Sequence, residues 1–363
     1  MMNFYIKKPR ALRIQAGTEA IQHIQEFGLQ AEDIDIIPGA AGGPKGIGIC
    51  GLDQAIFGDF LAQAPKKRTY IGSSIGCWRF ASIAAHGGHK GPEMLARLYN
   101  DIDFHSRMKP EDVSQQCFSV LEEMLRGKTS SVIDHPDMQL VMIMARCYPM
   151  LRSNSQILLA MGLMGLYGCN LLSRRSMNLF MQRCYAYSDA HNNRMTAVHD
   201  HSGFSGQHIS LSEHNLLQIL MATVAIPLVM DGVTDIPLAP KGLYRDGGLI
   251  DYHLDLPFNS KGLVLYPHYH DQIIPGWFDK SIRWRKANSF NHKRTILISP
   301  SSSYLNSLPL GQLPDRKDFD DFAGNNVRRK KIWEQSIAES QRLGDEFLEL
   351  VHGGKIAEYL EPL

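Results

Sequence analysis

The segment 72–76, with the sequence GSSIG, constrains the fold more than any other part of this chain. The short segment 68–71 before it carries Thr, Tyr and Ile, which predicts a buried strand, and the Ala-rich segment 77–86 after it predicts a helix. Small residues around a serine at such a junction are typical of a sharp turn that exposes a nucleophile. At the helix N-terminus, free N–H groups and the dipole would stabilise negative charge. Ser74 is therefore a candidate nucleophile, although an ordinary turn fits the segment equally well.

A glycine-rich loop, 39–46, follows a segment that predicts another buried strand, 34–38. Such a loop lets backbone N–H groups approach a ligand closely. A P-loop is disfavoured, because Pro44 precedes the lysine of the loop and a glycine, not Ser or Thr, follows it. A dinucleotide-binding loop is also disfavoured, because the glycines with suitable spacing, Gly46, Gly48 and Gly51, come well after the strand.

An oxyanion hole is the third use of this loop, and the one we favour. Two N–H groups can stabilise the charge that develops on a carbonyl oxygen, and each such donor contributes roughly 3–4 kcal/mol. Pro44 has no N–H group. Gly42 and Gly43 are therefore the predicted donors.

Far downstream, Asp246-Gly247-Gly248 follows a hydrophobic segment. An acid before two glycines places a carboxylate on a tight turn, from which it can reach another loop. Asp-Gly is also a common signal of a simple hairpin turn, and taken alone the sequence favours that interpretation. Shortly before it, residues 216–229 predict an apolar helix that ends at a proline.

Together these elements resemble the patatin-like phospholipase family in their order and spacing, over residues 33–258. The resemblance implies an α/β fold, a three-layer α/β/α sandwich of the patatin type. It also implies a catalytic dyad of Ser74 and Asp246 without histidine, and an oxyanion hole formed by Gly42 and Gly43. The other motif positions would form the supporting loops: Lys45, Gly46, Gly72, Gly76, Gly247 and Gly248.

The resemblance has three departures. Ala41 replaces the first of three glycines, Lys45 replaces an arginine, and the segment 251–257 replaces an Asn-x-Pro-like sequence after the DGG turn. Lys45 supplies a point charge that could bind phosphate or brace the loop. The departures leave room for a second interpretation, a lipid-binding or scaffold protein on the same fold with impaired catalysis.

The implied activity is that of a lipid acyl hydrolase, which cleaves fatty-acyl esters through an acyl-enzyme on Ser74 with Asp246 as general base. A carboxylate is a weak base, so burial is expected to raise the pKa of Asp246. The rival mechanism is the Ser-His-Asp triad of an α/β-hydrolase. Four histidines follow in suitable order for it: His268, His270, His292 and His352.

Composition narrows the class of protein. The chain has 363 residues, of which 44% are hydrophobic and 21% charged, with a net charge of +1, so we expect one elaborated domain and no nucleic-acid partner. Six scattered cysteines and an N-terminal segment without a continuous apolar stretch predict a cytoplasmic protein, with leaderless secretion left open. The histidine pairs 199/201 and 268/270 lack a third ligand at a recognised spacing, so no metal and no cofactor are expected. Oligomeric state is not predicted.

Two segments suggest contact with membrane or micellar lipid. Residues 157–169 form an apolar stretch too short to span a bilayer, which predicts a buried helix or a lid beside the site. The segment 279–294 is basic and has Trp277 and Trp284 close by, as is typical of membrane interfaces, but a solvated surface with partly buried tryptophans fits it equally well. A peripheral contact would use Leu163, Leu166, Trp277, Trp284, Arg283 and Arg285.

The coarse organisation is a catalytic core at about 33–258, interrupted by a helical insertion at about 92–180 and followed by C-terminal strands and helices at about 259–363. Further strands are predicted at 184–188, 196–200, 262–266 and 295–298, with a connecting loop at 299–314 and a C-terminal helical segment ending near residue 351.

Overall fold

The computed structural model of the chain describes residues 10–105, 108–153, 155–188, 203–204 and 206–363. The predicted edge strand at 196–200 and the histidine pair 199/201 lie outside these residues. Within them the fold is α/β, with a mostly parallel central sheet flanked by helices.

The strands are β1 (Leu12–Ala16), β2 (Ile34–Gly39), β3 (Arg68–Ser73), β4 (Met138–Cys147), β5 (Met181–Ser188), β6 (Gly206–Leu211), β7 (Val233–Thr234), β8 (Leu243–Asp246), β9 (Leu263–Pro267), β10 (Thr295–Pro300) and β11 (Leu360–Pro362). Their order in the sheet is β11-β1-β10-β9-β2-β3-β4-β5-β6, and β8 pairs with β4 and β7. The central strands β10, β9, β2, β3 and β4 run parallel to their neighbours in this series.

The α-helices are α1 (Thr18–Phe27), α2 (Cys50–Gln54), α3 (Ile75–His86), α4 (Lys90–Asn100), α5 (Pro110–Leu125), α6 (Thr129–Ile133), α7 (Gln156–Leu172), α8 (Leu216–Val224), α9 (Ser302–Ser307), α10 (Asp318–Asp321), α11 (Asn326–Glu339) and α12 (Gln341–His352). The segment 43–63 is also helical. A 3₁₀ segment at 43–49 precedes α2, and a π segment at 55–60 and a 3₁₀ turn at 61–63 follow it.

The two faces of the sheet are covered differently. Alternate strand side chains, such as Ile37 and Tyr70, join the main hydrophobic core together with α3 and α8. Their neighbours Ile36 and Ile71 point to the other face, where the non-helical segment 254–258 covers them. Because successive strand residues alternate between faces, both sides of the central strands are buried, which explains their apolar composition.

The predicted helical insertion at 92–180 is wrong in its middle. Residues 138–147, MQLVMIMARC, form β4, which pairs with β3, β5 and β8. A continuous apolar run has neither helical nor strand periodicity, so the sequence alone does not separate a buried strand from a buried helix. The surrounding residues are helical, in α4, α5, α6 and α7.

Other sequence predictions agree with the structure to within a few residues. The predicted strands at 34–38, 68–71, 184–188, 262–266 and 295–298 are confirmed as β2, β3, β5, β9 and β10. The apolar helix predicted to reach residue 229 ends earlier, at Val224, and the predicted loop 299–314 contains α9. Since strands from both ends of the chain share one sheet, the C-terminal part contributes to the core; the single-domain assignment stays a prediction.

Candidate active site

Ser74 lies between β3 and α3 in a backbone conformation that is rare for a residue with a side chain. Its φ is 55° and its ψ is −127°. Such a conformation costs about 1–3 kcal/mol and persists only where the surroundings enforce it. Here the Ser74 N–H group donates to Thr223 Oγ1 at 2.9 Å, and the Thr223 hydroxyl donates to the carbonyl of Ile143 at 2.5 Å. Thr223, which the sequence analysis missed, thus connects the turn to β4.

The Ser74 hydroxyl donates a hydrogen bond to Asp246 Oδ2 at 2.8 Å, although the two residues are 172 positions apart. The second carboxylate oxygen, Oδ1, accepts the Gly248 N–H group at 2.7 Å. Ser74 and Asp246 are 2% and 6% exposed. The contact that the resemblance implies between these two side chains is therefore present.

Strand β4 sets this contact through its register. On one edge of β4, Ile143 pairs with Ser73 at the end of β3, and the next residue, Met144, pairs with Asp246 at the end of β8. Strands β3 and β8 therefore approach each other end to end along the same edge of β4. Because successive residues of a strand are about 3.3 Å apart, the serine turn and the carboxylate meet at this point.

Close backbone approach explains the glycines of the three motifs. A β-carbon at Gly76 would lie 2.0 Å from the carbonyl oxygen of Gly39 at the end of β2. At Gly42, where φ is 153°, a β-carbon would lie 2.5 Å from the ring of Tyr269. The other predicted glycines also have close neighbours on the side where a β-carbon would project. Gly43 faces Arg316, Gly46 faces Ile75, Gly72 faces Cys77, Gly247 faces Ile143 and Gly248 faces Ala41.

The two predicted oxyanion donors, Gly42 and Gly43, lie at the start of the helical segment 43–49. The first N–H groups of a helix have no acceptor within it. No other described residue accepts a hydrogen bond from either amide. The loop is fixed from behind, because Ala41 donates its N–H group to the Tyr252 carbonyl and accepts the Tyr269 hydroxyl.

Lys45 is paired with another residue of the protein. Its ammonium group forms a salt bridge with Asp315 at 2.8 Å. Of the two roles considered from sequence, phosphate binding and bracing of the loop, the structure favours bracing.

A cavity of about 260 Å³ opens beside Ser74. Most of its lining is apolar, contributed by the segment after α8, by α7 and by residues near the DGG turn. Its polar side chains are those of Ser74, Asp246, Tyr252 and Arg316, and Trp277 lies at its exposed side. The lining comprises Ala41, Gly42, Ser74, Leu163, Ile226, Pro227, Leu228, Val229, Asp246, Gly248, Leu249, Tyr252, Trp277 and Arg316. We refer to this space as the Ser74 cavity.

Burial raises the pKa of Asp246 to about 6, as expected from the sequence. The Gly248 N–H group, the Ser74 hydroxyl and the charges of Arg316 and Lys280 act in the opposite direction, because they stabilise the carboxylate. A carboxyl group with this pKa is mostly ionised at neutral pH. It is also a better proton acceptor than an ordinary aspartate.

The four histidines proposed for a triad have other partners. In the part of the chain that the structure describes, no histidine lines the Ser74 cavity. His268 and His270 each accept a backbone N–H group within their own loop, His292 bonds to Asp255 and His352 contacts Gln63. The triad arrangement is therefore contradicted, because the carboxylate contacts the serine directly.

Helix α7 has a buried face and an exposed face. Leu159, Gly162, Leu166 and Asn170 are buried, whereas positions 157, 161, 164, 168 and 172 are exposed. Leu166 is 0% exposed in a hydrophobic cluster, so its predicted contact with lipid is wrong. Leu163 lies between the two faces and lines the Ser74 cavity.

The other side chains predicted to contact lipid fall into two groups: some are exposed, and one is bonded within the protein. Trp284 and Arg283 are exposed, with Trp284 at 73%, and Trp277 is partly exposed at the cavity. Arg285 is instead bonded to the Asn170 carbonyl at 2.7 Å and lies 3.6 Å from Asp279. The prediction that Arg285 contacts lipid is therefore wrong, because its charge is used within the protein.

A buried ionic network holds this part of the chain together. Arg183 binds Asp251 through two bonds of 2.6 Å, and Asn170 donates to Asp279 at 2.8 Å. Arg174 lies between the two carboxylates, 3.6 Å from Asp251 and 3.5 Å from Asp279. The altered segment after the DGG turn thus supplies Asp251, which anchors β5 and the residues after α7.

No helix among the described residues combines the length and the apolar character needed to cross a bilayer. Within the same residues, no group of three or more His, Cys, Asp or Glu side chains is arranged to hold a metal ion. No model of a known protein family matches the chain, and no curated protein matches it in sequence.

Proposed function

We propose that this protein is a serine acyl hydrolase with a three-layer α/β/α sandwich of the patatin type, and that it cleaves fatty-acyl esters of lipids. One observation carries the proposal: the Ser74 hydroxyl donates directly to Asp246 at 2.8 Å, in a largely apolar cavity that Gly42 also lines. Phospholipase A, lysophospholipase and simple esterase activities all fit this chemistry.

In the proposed reaction, Ser74 Oγ attacks the ester carbonyl and its proton passes to Asp246. The Gly42 and Gly43 amides stabilise the oxyanion of the tetrahedral intermediate. The intermediate collapses to an acyl-enzyme as Asp246 returns the proton to the leaving alcohol, which regenerates the carboxylate. Water then attacks the acyl-enzyme, with Asp246 again as the base, and the fatty acid leaves. The strained turn at Ser74 supports this role, because backbone strain is concentrated at functional sites.

The proposed substrate reaches the site from a membrane or micelle. The exposed side chains Ile157, Met161, Met164 and Leu172 follow one another at helical spacing on α7, and Leu163 of the same helix lines the Ser74 cavity. Apolar side chains on one face of a helix favour burial in the acyl boundary of a lipid surface. Together with Trp284 and Arg283, this face would make the protein a peripheral membrane protein. The cytoplasmic location stays a prediction.

The proposal is tested by labelling the protein with a fluorophosphonate and by measuring hydrolysis of p-nitrophenyl butyrate. We expect covalent labelling at Ser74 and none in Ser74→Ala, since only an activated serine reacts. Ser73→Ala is the matched control: Ser73 is the adjacent serine, it is fully buried, and its hydroxyl has no hydrogen-bond partner among the described residues. Ser73→Ala should still be labelled.

The absence of both labelling and turnover would contradict hydrolysis and favour a lipid-binding protein with impaired catalysis. Labelling at any other serine would contradict the proposed site itself.

A further inference from the structure

Arg316 is the one cation among the described residues that line the Ser74 cavity, and the sequence analysis did not single it out. It follows Asp315 in the segment before α10 and is half-buried. No described residue forms a salt bridge with its guanidinium or accepts a hydrogen bond from it. Its charge favours the ionised form of Asp246, which is the only carboxylate that the described part of the chain contributes to the lining.

Two other cations near the cavity have partners. Lys45 is paired with Asp315 at 2.8 Å, and the ammonium group of Lys280 lies 3.9 Å from the centre of the Tyr252 ring. Asp246 is occupied by the Ser74 hydroxyl and the Gly248 amide. Among the described residues that line the cavity, Arg316 is therefore the charged group that has no hydrogen-bonding partner.

A half-buried guanidinium without an acceptor has lost part of its hydration without compensation. An anionic ligand restores this loss, and the planar guanidinium binds carboxylate or phosphate through two parallel hydrogen bonds. The position of the Arg316 guanidinium limits where that anion can lie. A β-carbon at Gly43 would be 3.2 Å from Nη2 and 3.6 Å from Nε of Arg316, so the Nε and Nη2 edge faces the oxyanion loop.

We propose that Arg316 binds an anionic group of the substrate inside the Ser74 cavity, so that the enzyme prefers esters carrying a phosphate or a carboxylate a few bonds from the scissile carbonyl. The preference for an anionic substrate rests on the proposed acyl hydrolase function. The anion site itself depends only on the cavity and the unpaired guanidinium. Arg316 is thus a specificity-determining residue, separate from the Ser74 and Asp246 dyad.

The test is a binding measurement that needs no catalysis. Decyl phosphate, decanoate and decanol share one chain, contain no ester and differ in the head group; their dissociation constants are measured by calorimetry below their micellar concentrations. For Arg316→Gln we expect affinity for the preferred anion to fall about tenfold or more, because a charge-assisted bond is lost. Affinity for decanol should change less than about twofold. The larger loss, with decyl phosphate or with decanoate, identifies the anion.

Two further variants separate binding from folding. Arg316→Lys keeps the charge but not the forked geometry, and should retain part of the affinity for the anion. Arg342→Gln is the matched control, since it removes an exposed arginine that pairs with Glu339 at the surface, and it should bind all three ligands like the unmodified protein. Thermal unfolding of each variant reports whether it is folded.

Equal losses for decanol and both anions in Arg316→Gln would overturn the inference, because they indicate a structural role. Unchanged affinity for both anions would overturn it as well. If Ser74 is not labelled by the fluorophosphonate but anion binding still depends on Arg316, the hydrolase proposal fails and the anion site stands.

If the hydrolase proposal and the anion site both hold and decyl phosphate is the preferred anion, kcat/KM should show the same preference. The ratio of kcat/KM for a phosphatidic acid to that for a diacylglycerol with the same chains should fall about tenfold or more in Arg316→Gln. An unchanged ratio would contradict the preference.

Discussion

The turn at Ser74 and the helix α7 border the same cavity, yet they are built in opposite ways. Around Ser74 each polar group of the dyad has a fixed partner, and the backbone strands approach so closely that Gly76 has no room for a methyl group. Along α7 one face carries exposed apolar side chains, and a β-carbon at Gly168 would meet nothing within 4 Å. The turn at Ser74 holds the reacting groups in place, whereas α7 leaves apolar side chains exposed, which contact with a lipid surface would bury.

The largest expected effect comes from removing the proposed base. Asp246→Asn should reduce kcat/KM for p-nitrophenyl butyrate about 10³-fold, because the serine proton then has no acceptor of suitable basicity. For the unmodified protein, kcat/KM should fall about tenfold per pH unit below about pH 6, the pKa of Asp246. Full activity in Asp246→Asn, or a flat profile from pH 5 to 8, would contradict the dyad.

Asp246→Asn should increase the stability of the protein at neutral pH, although it lowers the activity. The pKa of Asp246 is about 6 in the folded protein, above its ordinary value of 3.8, so the folded state holds the proton more tightly. The resulting stabilisation is complete below about pH 4 and is lost as the pH rises through about 6. Asparagine does not titrate, so at pH 7 the variant should be more stable by on the order of 3 kcal/mol, as measured by urea unfolding.

A methyl group added at each region should sharpen the contrast. Gly76→Ala places a β-carbon 2.0 Å from the Gly39 carbonyl, so the free energy of unfolding should fall by about 3 kcal/mol or more. Gly168→Ala adds the same group to an exposed, unobstructed position of α7, where alanine favours the helix by about 1 kcal/mol. Urea unfolding measures both. Equal effects would mean that the two regions are equally tolerant.

The smallest effect concerns the exposed face of α7. Met164 and Leu172 are 66% and 90% exposed, so the double substitution to Glu should leave the fold intact and weaken partitioning onto phosphatidylglycerol vesicles about tenfold. Sedimentation with vesicles measures the partition. Val327→Glu is the control, because Val327 is an 81% exposed apolar residue of α11. If both proteins lose the same affinity, added charge explains the result and α7 has no special role.

The local motifs were readable because each depends on a short-range property. A serine between small residues, glycines before a proline and an acid before two glycines each prescribe a turn, wherever it occurs in a fold. The strands and helices next to them were predicted to within a few residues for the same reason. The pKa direction at Asp246 followed from the requirement that a carboxylate base be buried.

Long-range contributions were not readable. Thr223 looks like one more residue of an apolar helix, and its hydroxyl matters only because α8 packs beside the end of β3. Arg316 is distant in sequence from every motif. The inward face of Leu166 and the pairing of Arg285 with Asn170 depend on how α7 is rotated against the sheet.

The sequence by itself determined which chemical groups are present and the turns that display them: a hydroxyl at Ser74, a carboxylate at Asp246 and glycines that admit close backbone contacts. Only the tertiary structure decided that these groups touch. The reason is the register of β4, in which Ile143 aligns the end of β3 and Met144 aligns the end of β8. A shift of that register by one residue would reverse the faces of the strand and separate the pair, and nothing local to either motif encodes that alignment.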